Sequence, residues 1–284
     1  MILKEICRAA KRKRIAANIF VAVLVLFFLI PILHTLGTSV KADKEIYATP
    51  VTLIPKDMTG AHYRHVVTEM KDTFFTFFKN SVVTTGASLL LILSLGSLAA
   101  FGLARIDFMG RKLIISFISF VLAIPLIITV IPIFMMETAL NIKNTNLGLI
   151  LPYTAVYMPI PLFIMYSSFI KIPKELEESA YIDGASILQV YRCFLPLAKG
   201  GLVSGGIIAF IYIWGEFLFS LILNTRETSM TLPIGIMSVN TEQQAWALGP
   251  LSAVIVLSII IPISLYLSVQ QYFVKGLMEG SIKG

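Results

Sequence analysis

Charged residues are scarce in this sequence. Asp, Glu, Lys and Arg make up 14% of its 284 residues, while hydrophobic residues make up 57%. Ordinary soluble domains carry about 25% charged residues. This composition excludes an ordinary soluble globular domain and indicates a chain that lies mostly within a membrane.

Motifs for nucleotide binding and catalysis are also missing. No G-x-x-x-x-G-K-[ST] occurs, so no phosphate-binding loop of the nucleoside-triphosphatase kind is expected. The Gly-rich stretch 200–206 resembles such a loop only superficially, because no Lys follows it. Its Gly201 and Gly205 have the small-xxx-small spacing that lets membrane helices approach closely, so we interpret them as packing residues. No catalytic Ser, His and Asp set or carboxylate pair stands out, and we expect the protein not to be an enzyme.

Cysteine and histidine are too few to suggest a disulfide or a metal site. Cys7 and Cys193 both lie on segments that we expect to face the cytoplasm, where thiols stay reduced. His62 and His65 could share a helical face, but a metal site normally needs three or four ligands. We therefore expect no metal and no cofactor on this chain.

Long apolar runs dominate what the sequence does contain. A run of about 20 apolar residues can cross the hydrocarbon core as a helix, and backbone polar groups in lipid must be bonded within their own segment. The short alternating segments typical of transmembrane strands are absent. The sequence therefore predicts an all-α polytopic membrane protein with six transmembrane helices, at residues 15–40, 81–104, 113–136, 145–170, 200–225 and 247–274.

Lys and Arg are concentrated on one side of these runs. Because cytoplasmic loops carry an excess of Lys and Arg, we predict that both termini lie in the cytoplasm. The net charge of +7 is then a topology signal and not a sign of nucleic-acid binding. The predicted organisation is a cytoplasmic tail (1–14), a six-helix domain (15–274) with an outer loop (41–80) and a cytoplasmic loop (171–199), and a cytoplasmic C-terminal tail (275–284).

The cytoplasmic loop contains an acidic segment, KELEESAYIDGAS. Pro173 suits the first turn of a helix, and the acids that follow it complement the helix dipole. Gly184 is a turn signal, and Ser186 with Gln189 forms a capping box that starts a second short helix, which we expect to stop before Pro196. An anionic membrane surface would repel these acids, so a protein partner is favoured over lipid.

These residues resemble the EAA signature of ATP-binding-cassette importer permeases. The stretch Glu178-Ser179-Ala180 is followed by Gly184 and then by Leu195-Pro196, in the order of that signature. The segments LNIKNTNLGLILPY, WGEFLFSLIL, MTLPIGI and QQYFVKGLMEGSIKG are similar, in the same order, to the maltose-type second permease of the carbohydrate-uptake group. Ser179 stands where the signature has its first alanine.

The resemblance implies a permease subunit of a bacterial-type inner membrane that imports a sugar or a related carbohydrate and forms half of the translocation pathway. Its implied partners are a second, different permease, two copies of a cytoplasmic ATPase that bind ATP and Mg, an extracytoplasmic solute-binding protein and membrane lipid, with no nucleic acid. In this family the loop couples the permease to the ATPase. The coupling residues implied here are Glu178, Ser179, Ala180, Asp183, Gly184, Leu195 and Pro196.

Glu216 is the one acid within the six apolar runs. Ionisable residues inside a membrane are functional candidates by default, so Glu216 is a candidate for the translocation pathway or for a contact between subunits. A carboxylate that reaches the outer membrane interface or bonds a neighbouring helix is an equal alternative. The competing function is an ion-coupled secondary transporter, which would carry several buried ionisable residues and often broken spans.

Overall fold

The protein is described here by a computed structural model, which covers residues 2–242 and 248–281, with side chains for 14–237 and 248–270. The helices of the covered ranges are α1 (Ile2–Val40), α2 (Asp43–Ile46), α3 (Ala61–Thr68), α4 (Lys71–Arg105), α5 (Arg111–Val121), α6 (Leu126–Ala139), α7 (Asn146–Tyr157), α8 (Pro159–Ile170), α9 (Lys174–Ile182), α10 (Ile187–Leu197), α11 (Lys199–Trp214), α12 (Leu218–Leu223), α13 (Leu232–Glu242) and α14 (Leu248–Ser281). These ranges contain no named strand, only an isolated antiparallel bridge between Lys41 and Met58. The all-α prediction is confirmed.

Three of these helices are long and apolar enough to cross a membrane alone. They are α1 from Arg14 onwards, α4, and the part of α14 from Leu248 to Gln270. Three bent pairs reach that length only together, namely α5 with α6, α7 with α8, and α10 with α11. Counting each bent pair as one span gives up to six spans among the described residues, which is the predicted number. The pair of α10 with α11 stands in that count for the predicted run 200–225, and it includes α10, which was predicted to lie in the cytoplasmic loop.

Three of the predicted runs are broken, where a single helix was expected for each. α5 and α6 meet at 101°, with Pro125 directly before α6, and α7 and α8 meet at 50°, with Pro159 as the first residue of α8. Proline cannot donate a backbone hydrogen bond and clashes with the preceding turn, which explains both breaks. The run 200–225 breaks at residues 215–217, between α11 and α12.

The chain divides into two compact units, and the first consists of residues 1–71 and 240–257. Polar contacts organise the loop that follows α1 in this unit. Lys41 is buried and donates through Nζ to the carbonyl of Thr52. Glu45 accepts from the hydroxyl of Thr52 at 2.8 Å and from the backbone N–H of Lys56 at 3.0 Å. The loop is therefore folded by contacts within its own sequence.

The second unit consists of residues 72–239 and 258–284, and its helices α8 and α11 pack closely. Glycines of α11 make this approach possible. A β-carbon at Gly205 would lie 3.2 Å from the carbonyl oxygen of Pro161, and one at Gly201 would collide with the side chain of Ser168. The interpretation of Gly201 and Gly205 as packing residues is confirmed.

Gly201→Ala should destabilise the protein, because the added methyl group overpacks the α8–α11 contact at a cost of about 1–3 kcal/mol. Gly200→Ala is the matched control, since a β-carbon at Gly200 meets nothing within 4 Å and alanine favours a helix over glycine. Thermal unfolding in detergent should give a lower midpoint for Gly201→Ala only. Equal midpoints for the two variants would contradict close packing at Gly201.

Candidate functional site

The candidate coupling segment is the pair of short helices α9 and α10 with the turn between them. Gly184 adopts a φ of +80°, a left-handed conformation that suits glycine, and its N–H donates to the carbonyl of Tyr181 at 3.0 Å. The backbone N–H of Ser186 donates to Oε1 of Gln189 at 2.6 Å and completes the capping box. The predicted order of helix, glycine turn and helix is therefore confirmed.

The second helix of the segment ends later than expected. α10 continues to Leu197, and Pro196 lies in its last turn. The backbone N–H of Ala198 donates to the carbonyl of Phe194 at 2.9 Å, so the turn closes around the proline. Pro196 removes one donor, and Ala198, two residues further on, supplies the closing hydrogen bond, so the proline does not stop the helix at its own position.

The residues of the EAA resemblance fall into two groups on this segment. The larger group lies together on α9 and the turn, where Glu178, Ser179, Asp183 and Gly184 are exposed and Ala180 is half-buried. The smaller group, Leu195 and Pro196, lies at the far end of α10.

The exposed side of the coupling segment also presents apolar side chains. Ile182 is 86% exposed, and its large apolar neighbours Leu176, Tyr181, Ile187 and Leu188 are exposed as well. The pKa of Tyr181 is raised by desolvation and by the Glu177 carboxylate, to which its hydroxyl donates at 3.4 Å. Tyr181 therefore stays neutral at physiological pH. The surface combines acids with apolar groups. A helix with such a mixed surface can dock into a groove on a protein partner.

The opposite side of α10 packs against the membrane helices of the second unit. Val190 and Phe194 are buried, and the rings of Phe101, Phe169, Tyr191 and Phe194 form an edge-to-face and tilted cluster. The hydroxyls of Tyr191 and Ser97 also lie 2.8 Å apart. These contacts fix α10 against α4 and α8.

Arg105 is the last residue of α4. From the sequence it was only one of the cations that indicate the cytoplasmic side of the membrane. Its side chain is 3% exposed. Nη2 donates to the carbonyls of Phe169 and Ile172, and Nη1 lies 3.5 Å from Oε2 of Glu177. Nothing in the local sequence distinguishes Arg105 from other interfacial cations, because all of its partners are distant along the chain.

Glu216 lies at the break between α11 and α12, where its carboxylate caps the second helix. Its Oε1 accepts from the backbone N–H of Phe219 at 2.9 Å, and its Oε2 accepts from that of Ser220 at 3.2 Å. The hydroxyl of Tyr153 donates to Oε2 at 2.7 Å. Glu216 is 6% exposed, so the contacts of the carboxylate are with its own chain, including the neighbouring helix α7.

These features define a helical membrane protein with an exposed segment suited to a partner. The chain belongs to the family described as "Binding-protein-dependent transport system inner membrane component", whose model matches residues 92–278. The matched region includes the coupling segment and the Glu216 break, and the family is one of transport permeases rather than enzymes.

Relatives cover almost the whole chain. The sulfoquinovosyl glycerol transport system permease protein SmoH of Agrobacterium fabrum is 34% identical over 90% of this chain and 89% of its own. The trehalose/maltose transport system permease protein MalG of Thermococcus litoralis is 32% identical over 96% of this chain and 98% of its own. A chain from the crystal structure of a bacterial ABC transporter that imports alginate shares the fold, with a TM-score of 0.84, 22% identity and coverage of 94% of this chain and 98% of that one.

Glu216→Ala should destabilise the protein by about 2 kcal/mol or more, because it leaves buried N–H donors of α12 without an acceptor. Tyr153→Phe removes one hydroxyl donor and leaves the cap in place, so its cost should be about 1 kcal/mol. The measurement is the order of thermal-unfolding midpoints of the two variants and the wild type in detergent. A Glu216→Ala protein as stable as the wild type would rule out the capping role.

Proposed function

We propose that this chain is one permease subunit of an ATP-binding-cassette importer for a sugar or a related carbohydrate, and forms half of the translocation pathway. The observation that carries the proposal is the family match over residues 92–278, together with an exposed α9–Gly184–α10 segment at the position of the EAA resemblance. The comparisons give no support to an ion-coupled transporter.

The substrate class follows from the relatives. SmoH and MalG, which align with nearly the whole of this chain, are named for transport of a sulfoquinovosyl glycerol and of trehalose or maltose. All three are sugars or sugar derivatives. A carbohydrate is therefore the substrate class proposed for this chain.

The proposed assembly contains this permease, a second and different permease, and two copies of a cytoplasmic ATPase that hold ATP and Mg. An extracytoplasmic solute-binding protein delivers the substrate. Both termini and the coupling segment face the cytoplasm, as the distribution of Lys and Arg favours. The chain is proposed to supply no catalytic residue, because ATP hydrolysis takes place on the partner.

Within the coupling segment, α9 is proposed to enter a groove of the ATPase. Glu178 supplies a charge and a hydrogen-bond acceptor, and half-buried Ala180 allows close approach of the partner. Asp183 and Gly184 form the turn, and Ser179 adds a small exposed side chain beside Glu178. Leu195 and Pro196 lie in the last turn of α10, where the segment returns to the membrane helices.

Transport by the reconstituted importer should require ATP and every partner chain. The measurement is uptake into liposomes from a panel that includes trehalose, maltose and a sulfoquinovosyl glycerol. We expect uptake with the second permease, the ATPase, the binding protein and ATP present, and none when any of them is left out. Uptake by this chain alone under a proton or sodium gradient would overturn the proposal.

Gly184→Val should abolish transport while the chain still inserts in the membrane. A β-carbon at Gly184 meets nothing within 4 Å, so the penalty comes from the left-handed backbone alone, which costs an L-residue roughly 1–2 kcal/mol. Gly184→Asn is the matched control, because asparagine adopts this conformation more readily.

Both Gly184 variants should be assayed for transport and for cross-linking of an Ala180→Cys substitution to the ATPase. We expect near-normal values for Gly184→Asn and loss of both for Gly184→Val. Normal transport by Gly184→Val would contradict the role of the turn. Failure of Ala180→Cys to cross-link in an otherwise wild-type assembled complex would contradict docking itself.

A further inference from the structure

Arg105 makes contacts in three directions from the end of α4. Its Nη2 donates to the carbonyls of Phe169 and Ile172, at and just beyond the end of α8. Its Nη1 pairs with Glu177 on α9 at 3.5 Å. Its guanidinium carbon lies 5.2 Å from the ring centre of Phe194 on α10. One side chain thus contacts both helices of the coupling segment as well as α8.

The burial of Arg105 makes these contacts necessary. A charged group that is 3% exposed must be paired and hydrogen-bonded, because its transfer from water is otherwise very unfavourable. The last carbonyls of a helix have no partner within the helix, and positive charge is favourable beside them. Nη2 of Arg105 therefore brings a charged donor to the carbonyls of Phe169 and Ile172, the first of which also accepts from the backbone N–H of Ile172 at 3.2 Å.

α9 has few other means of being held. None of its residues is fully buried, and its polar side is the exposed surface proposed to meet the ATPase. Ala180 packs against the neighbouring core cluster, and the side chain of Glu177 is only 14% exposed and is paired with Arg105. Phe194 and Val190 anchor α10 by packing. The ion pair between Glu177 and Arg105 connects α9 to α4.

We propose that Arg105 is a positioning residue that holds α9 at a fixed angle to α4 and α8, so that movement of the docked coupling segment is passed to both membrane helices. The inference rests on the proposed coupling to an ATPase. The planar guanidinium places several donors at once on separate acceptors. Lysine offers a single ammonium in place of that fork, so Arg105→Lys should be a poor substitute.

The test measures the geometry of α9 directly in the assembled importer. Spin labels are attached to Ala99→Cys on α4 and Glu175→Cys on α9, two exposed positions, after Cys7 and Cys193 are changed to Ser. Electron–electron distance measurements are made without nucleotide and with vanadate-trapped ATP. The variants are Arg105→Gln, Arg105→Lys and Glu177→Gln. The matched control is Arg111→Gln, which removes a cation paired with the exposed Asp107.

We expect one narrow label-to-label distance, unchanged by nucleotide, in the wild type and in Arg111→Gln. Arg105→Gln should broaden the distance distribution in both states, with Arg105→Lys and Glu177→Gln between it and the wild type. Stimulation of ATP hydrolysis by the binding protein should fall about tenfold in Arg105→Gln, the loss expected for one charge-assisted hydrogen bond, while the ATPase still co-purifies.

A narrow, wild-type distribution in assembled Arg105→Gln would overturn the inference, as would broadening without loss of stimulation. If Arg105→Gln does not assemble, Glu177→Gln decides, because it removes the contact with α9 and leaves the carbonyl contacts of Arg105 in place; an unbroadened distribution then overturns the inference. Failure of the proposed function is a separate result, since it appears as absent cross-linking of Ala180→Cys to the ATPase in the wild-type background.

Discussion

The absence of water from the hydrocarbon core of a membrane is the constraint on which this structure depends, because every backbone N–H and C=O there must find a partner within the protein. A continuous helix meets the constraint along its length but not at its ends. This chain breaks several of its spans and therefore has more helix ends than a bundle of six straight helices. Two charged side chains serve helix ends, one at the break between α11 and α12 and one where α8 ends beside the coupling segment. Glu216 accepts from the first N–H groups of α12, and Arg105 donates to carbonyls at the end of α8.

The signs of these two charges agree with the helix dipole, since an acid caps the N-terminal end and a base caps the C-terminal end. Both side chains are almost fully buried, so the groups around each must compensate for its lost hydration. The contacts of Glu216 in the structure lie within the chain, and its place on the translocation pathway or in a contact between subunits stays a prediction. Its sequence context alone left a place on the translocation pathway as an equal alternative.

The sequence predicted the helical class and the number of spans well, because hydropathy over about 20 residues reports membrane burial directly. It did not predict the breaks. Pro125 and Pro159 stand where one helix gives way to the next, while Pro132 and Pro262 lie inside continuous helices. Whether a proline bends or ends a helix depends on what satisfies the freed carbonyl, which is a property of neighbouring helices.

The coupling segment shows the same division between local and distant contacts. Its capping box and glycine turn could be predicted, since Ser186, Gln189 and Gly184 act on residues within a few positions of themselves. Arg105 could not, because Glu177 and Phe169 lie far from it along the chain. A single sequence records which residues are charged, whereas the pairing of a charge is decided by the fold.

The exposed apolar side chains of α9 and α10 also bear on how the subunit is produced. Ile182, Leu188 and their neighbours present an apolar surface to water until a partner covers it, and contiguous exposed apolar patches favour non-specific association. On the proposed function, a permease made in excess of its ATPase would remain in the membrane with this surface uncovered. The permease and the ATPase must then be made in matching amounts, because an excess of permease would be prone to non-specific association through this surface.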